Sequence, residues 1–120
     1  MTPQELLEHG LAKPGAWPDN PWDHDHPVVK VGESPGRIFL FVGGSGAGVK
    51  SGPHREIADE WLERFPDDVS VMPYIGRSGW NDLAFGGAIP DEEILEAVDE
   101  SYRLVVAKLP KKHRPDGWDT

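Results

Sequence analysis

Arg37-Ile38-Phe39-Leu40-Phe41-Val42 runs into Gly43-Gly44-Ser45-Gly46-Ala47-Gly48 and out through Val49-Lys50-Ser51. Two folds are open to this stretch. After Arg37, its next five residues are apolar, β-branched or aromatic, and the six form a strand. If the glycines cradled a phosphate, a helix would follow and the sheet would be parallel. That loop needs Gly-x-x-x-x-Gly-Lys-Ser/Thr, and here Val49 separates Gly48 from Lys50. The extra residue moves the lysine amine out of the cradle's register. The dinucleotide pattern Gly-x-Gly-x-x-Gly fails too, because position 49 is Val. The glycines therefore read as the loop of a hairpin between a strand at 37–42 and a short one at 49–51, and the sheet as antiparallel.

Helices flank this hairpin. Downstream, one begins at Pro53 with Ser51 or Gly52 as its cap. Ile57, Ala58, Trp61, Leu62 and Phe65 keep helical spacing until Pro66 stops it. At the start of the chain, Thr2 can accept from the Glu5 amide and Glu5 can reach back, with Pro3 at the first helical position. Leu6, Leu7 and Leu11 form the stripe of that helix, and Pro14-Gly15 ends it. A third helix runs from about Asp91 to about Leu109 on Ile94, Leu95, Val98, Tyr102, Val105, Val106 and Leu109. Its acids cluster in the first half and its bases follow, which complements the helix dipole. Further strands are expected at Val28–Val31, Val69–Tyr74 and Trp80–Phe85. The order is α-β-β-β-α-β-β-α, an α+β domain with an antiparallel sheet and flanking helices. Lys13 to Pro27, rich in proline and tryptophan, reads as an ordered loop lying on the core. One domain spans residues 1–114, and 115–120 form a mobile tail that Trp118 could anchor.

The chain has 120 residues, no cysteine, and 12 Lys+Arg against 21 Asp+Glu, for a net charge of -9. Disulfides, thiol catalysis and cysteine-ligated metals are excluded. So acidic a chain is a poor general polyanion binder. No apolar run is long enough to span a membrane, and no secretory signal opens the chain, so a cytoplasmic location is expected.

Candidate chemistry is sparse. Ser45 lacks the Gly-x-Ser-x-Gly elbow, because Ala stands at 47. Asp23-His24-Asp25-His26 resembles a metal tract but has no clear third or fourth ligand, and reads as a polar loop. Neither a metal nor a cofactor is expected. The acids are too many for any pair to stand out. Tyr74, Arg77 and Trp80 flank the turn at 75–79, where a base beside aromatics can grip a phosphate or stack on a nucleobase.

From Trp17 onward the sequence resembles the MmcQ/YjbR family. Pro21-Trp22-Asp23, Val29-Lys30-Val31-Gly32 and Arg37-Ile38-Phe39 resemble its first strands. Val49-Lys50-Ser51-Gly52-Pro53 resembles the entry to its middle helix. Trp80-Asn81, Gly87-Ala88-Ile89-Pro90-Asp91-Glu92-Glu93, Ser101-Tyr102 and Val105-Val106-Ala107-Lys108-Leu109-Pro110 are close to its signature. The Thr-Pro-x-Glu-Leu start at 2–6 also fits, and only 43–48 and 115–120 look individual. The resemblance implies a small non-enzymatic domain that binds DNA through β-hairpin wings. Carried onto this chain, the wing keeps Arg77 and the pair Trp80-Asn81, while Gly76 and Gly79 stand where many relatives have Asn and His. Lys50 and Arg77 would meet phosphate, Trp80 would stack or support the wing, and Lys108, Lys111, Lys112 and Arg114 would add a basic patch. Binding should then be weak and salt-dependent. That expectation requires Lys50, Arg77 and the bases at 108–114 to share a face. The rival expectation is an acidic protein-interaction or adaptor domain that binds no DNA. A third is a ligand or enzyme cleft near Trp17, Trp22 and Trp80.

Overall fold

Arg37–Val42 (β3) and Gly46–Lys50 (β4) pair antiparallel, with Leu40 opposite Val49, Phe41 opposite Gly48 and Val42 opposite Ala47. The computed structural model describes all 120 residues. The glycine loop is shorter than expected, since Gly46 and Gly48 belong to the strand. The turn is closed by the Gly43 amide donating to Gly46 O at 3.0 Å. These strand glycines answer to packing. A Cβ on Gly46 would stand 2.5 Å from Leu83 O, and one on Gly48 would be 3.0 Å from Met72 Sδ and Phe41 Cβ.

The remaining elements are α1 (Pro3–Leu11), β1 (Ala16–Asp19), β2 (Val28–Val31), α2 (Arg55–Arg64), β5 (Val69–Val71), β6 (Trp80–Ala84) and α3 (Asp91–Ala107). Short 3-10 turns occupy Gly76–Ser78 and Lys111–His113. The six strands form one antiparallel sheet in the order β1-β2-β3-β4-β6-β5. The order along the chain is thus α-β-β-β-β-α-β-β-α, one strand more than expected. The addition, β1, lies within the segment read as a loop. It pairs with β2 at the sheet edge, where Pro18 interrupts no inner ladder.

The helices cover one face. α1 packs on β1–β3, α3 on β3 and β4, and α2 on β5 and β6. Leu6, Val29, Val31, Leu40, Val49, Leu83, Ile94, Val98 and Val106 fill the layer between, each at 0% exposure. A bulge after Val29 lets Phe39 and Leu40 both bury. Two helix boundaries and one strand boundary shift. α2 starts at Arg55 and its N-cap is His54, without a side-chain bond. Neither Ser51 nor Gly52 caps it: the Ser51 hydroxyl is buried without a partner, and Gly52 lies against Ile57. α3 stops at Ala107, where Arg114 folds back and donates to Ala107 O (2.7 Å) and Leu109 O (2.9 Å). The first of these is a carbonyl the helix end leaves unpaired. β5 ends at Val71, two residues before Pro73. The segment 115–120 lies on the body, with Trp118 against the core and Arg114 5.5 Å from its ring centroid.

Candidate functional site

The sheet's other face carries no helix. Register aligns Val28, Phe41, Gly48, Asp82 and Ser70 across it in one row. Two loops lean over this row. From the β1–β2 loop, Trp22 stacks on Phe41, centroids 6.4 Å apart and planes 14° apart. From the β5–β6 connection come Met72, Tyr74 and Ile75. Two adjoining cavities result, of about 720 and 620 Å³, sharing Trp22, Phe41 and Ile75 as their common wall.

The first cavity exists because β3 and β4 part. Their pairing stops at Leu40–Val49, after which Ile38 pairs with β2 and Lys50 with Trp80 of β6. The Ser101 hydroxyl of α3 fills the fork, accepting from Lys50 N at 2.9 Å and donating to Phe39 O at 2.6 Å. The next turns of α3, through Leu104, Val105 and Lys108, then line the opening with Ile38, Phe41 and Trp80. Every charged side chain on this wall is a base: Lys30, Arg37, Lys50 and Lys108. Lys30 is paired with Asp19 at 2.7 Å. Arg37, Lys50 and Lys108 form no ion pair. Lys50 is 6% exposed. Burial pushes its pKa down, and the positive charge of the neighbouring Lys108 pushes it down further.

The second cavity is mostly apolar, floored by Val28, Phe41, Gly48 and Met72. Trp22 (54% exposed) and Tyr74 (101%) stand at its rim. Tyr74 holds a left-handed backbone at φ +68°. Asp82 enters from the side, its carboxyl pKa raised by burial. His24 and His26 reach the same wall. No three acid or histidine side chains come close enough together to hold a metal ion.

Only three of the eight residues singled out in the sequence line the first cavity. Lys50, Trp80 and Lys108 meet in the basic cavity. Trp80 buttresses it, edge-on to Phe41 at 5.7 Å. Arg77, Lys111 and Lys112 are exposed and unpaired on 3-10 turns outside the cavity. Arg114 is engaged at the end of α3. Asn81 is fully buried on the helix side: it donates to Ala58 O at 3.0 Å and accepts from Arg55. Its amide therefore cannot reach a ligand. The turn bearing Arg77 is itself tied down, because Arg55 also donates to Gly76 O (2.8 Å) and Trp80 O (3.1 Å). Gly79 has φ +101°, and a Cβ there would strike Gly52 O, while one on Gly76 would strike Val71. Of the three tryptophans expected to form a cleft, Trp22 and Trp80 line the basic cavity. Trp17 instead lies in β1, its indole donating to Gly32 O at 2.8 Å.

Arg37 and Asp82 were not singled out as site residues. Arg37 looked like an ordinary strand start. Asp82 becomes legible only once strand parity sets it opposite Leu83. Trp22 and Tyr74 were noticed as aromatics, but nothing local to either predicts that they rim one cavity.

Residues 11–104 match the family model of YjbR. The "Uncharacterized protein YjbR" of Escherichia coli strain K12 is 31% identical over 118 residues, 95% of each chain, and its counterpart in E. coli O157:H7 matches equally. The crystal structure of Deinococcus radiodurans protein DR2400, whose domain is DUF419, has the same fold. It aligns at a TM-score of 0.81 and 22% identity over 94% of this chain and 85% of that one. With this family match across most of its length, the chain belongs to the YjbR family.

Proposed function

We propose that the protein is a non-enzymatic, nucleic-acid-binding domain that takes a single strand across the open face of its sheet. One observation carries this reading. In a chain of net charge -9, three unpaired bases converge in a cavity whose wall bears no carboxylate, beside two exposed aromatic rings. Lys50, Lys108 and Arg37 suit phosphates, and Trp22 and Tyr74 suit bases already out of a stack. Arg77, Lys111 and Lys112 would be flanking contacts. A duplex fits less well, since its bases offer no free faces to those rings. A cytoplasmic site of action goes with this reading, and no helix is long and apolar enough to cross a membrane.

Fluorescence anisotropy with labelled single- and double-stranded DNA tests the proposal. Saturable binding of the single strand is expected at low salt. Three phosphate contacts would give a slope of log affinity against log salt of about -2. Arg37→Ala with Lys108→Ala should remove most of that slope. No binding at low salt, or binding indifferent to both substitutions, overturns the reading. The exposed Trp22 and Tyr74 would then favour a protein partner.

A further inference from the structure

Lys50 is a poor resting place for a proton. The residue is 6% exposed, among Ile38, Phe41, Trp80 and Val105. It forms no ion pair, and the Lys108 amine shares its cavity. An ammonium there loses water and gains a like charge, and shedding its proton relieves both costs. A desolvated amine next to a second cation is also the arrangement that activates lysine toward carbonyl carbon.

We propose that Lys50 reversibly captures small 2-oxo acids as an imine, with Lys108 relaying the protons and Arg37 drawing the substrate carboxylate into the cavity. The lysine nitrogen attacks the carbonyl carbon, a C–N bond forms, and the C=O π pair moves to oxygen. Lys108 carries a proton from nitrogen to that oxygen, giving a carbinolamine. It then protonates the hydroxyl, which leaves as water while the nitrogen lone pair closes C=N. The iminium returns its proton to Lys108. One water is released, and nothing is oxidised or reduced. The chemistry stops there, because the wall holds neither carboxylate nor histidine to take a proton from carbon. The carboxylate requirement follows from charge, since every charged group facing the ligand is positive. Its apolar tail would lie against Trp80 and Phe41.

This capture goes beyond the nucleic-acid reading and stands without it. A phosphate in the cavity would hold Lys50 protonated and so protect it.

The test uses the whole protein with 4-methyl-2-oxopentanoate and sodium cyanoborohydride, which reduces iminium ions but spares the ketone. Peptide mass spectrometry then locates the adducts. Lys50 should be labelled faster than the exposed Lys111 and Lys112, because it is buried beside a second amine in the cavity. The uncharged ketone 4-methyl-2-pentanone should label it far more slowly. Lys108→Ala should slow the Lys50 adduct, and Lys50→Arg should abolish it. Labelling that simply follows exposure, with Lys50 slowest, overturns the proposal in the unmodified protein, whatever the variants do. Equal labelling by acid and ketone removes the 2-oxo acid as its substrate.

Discussion

Asn81 shows how one side chain's surroundings override its chemistry. Beside Trp80 it looks like a ligand-binding amide. Strand alternation turns it inward with Leu83, to hold the Arg55 guanidinium and the Ala58 carbonyl. Replacing it with leucine keeps much of the volume but removes one acceptor from Arg55 and the side-chain donor to the Ala58 carbonyl in the interior. Asn81→Leu should therefore lower stability by about 2–3 kcal/mol in urea unfolding. Arg77→Ala, on the surface, should move it by less than about 0.5 kcal/mol. If the two variants unfold alike, Asn81 is not the structural clamp described. The inward placement was legible, because Leu83 has to face the core and Asn81 shares its parity. The pairing with Arg55 was not, since no spacing rule links a strand to the first turn of a distant helix. Lys50 poses the reverse case. It was noticed as a base near glycines, but its burial depends on α3, whose first residue lies 41 positions further along the chain.

Among elements, the decisive event is the parting of β3 and β4 and the entry of α3 into the fork. The hairpin was legible because its two failed motifs leave only a turn. The fork was not, because it needs Ser101 to bond one strand's amide and the other's carbonyl. β1 escaped notice for a local reason: Pro18 demotes a run that only an edge can accept. The seam between α1 and α3 was also beyond reach. There Asp99 accepts from Lys13 at 2.5 Å and lies 2.7 Å from His9 Nε2. Burial alone would raise the Asp99 pKa, but bonds to Lys13 and then His9 outweigh it, and the carboxyl ends below its usual range. A lowered carboxyl stabilises the fold above the unfolded-state value of about 3.9, and that contribution fades as pH falls through the folded value. Asp99→Asn should cost about 1 kcal/mol or less at neutral pH, since solvent screens the cluster. The gap to the parent protein should close on acidification. Urea unfolding at neutral pH and well below pH 4 reads this directly, and a gap that stays constant would deny the clasp its charge.

Across the whole molecule, charge is unevenly spread. The surface acids of α2 and α3, among them Glu56, Glu60, Glu63, Glu92, Glu96 and Glu100, lie in the helical layer. The unpaired Arg37, Lys50 and Lys108 line the cavity at the fork between β3, β4 and the end of α3. Net charge alone therefore misjudges what that cavity can hold, and also what holding an anion requires. With its pKa lowered in the free protein, Lys50 takes up a proton on phosphate binding wherever the pH lies above its free-state value. Binding then draws a proton from solution, and it weakens as pH rises above the free-state value. The loss approaches tenfold per pH unit at most, for one linked proton. Lys50→Arg removes the linkage, because a guanidinium keeps its charge throughout. Oligodeoxyadenylate without a terminal phosphate is the suitable ligand, since neither its bases nor its backbone titrates at neutral or alkaline pH. Anisotropy from neutral pH to about 9.5 should show affinity falling for the parent protein and nearly level for Lys50→Arg. Calorimetry in two buffers of different ionisation enthalpy should show proton uptake for the parent protein alone. If both proteins lose affinity in parallel, the titrating group lies elsewhere and Lys50 does not touch the phosphate.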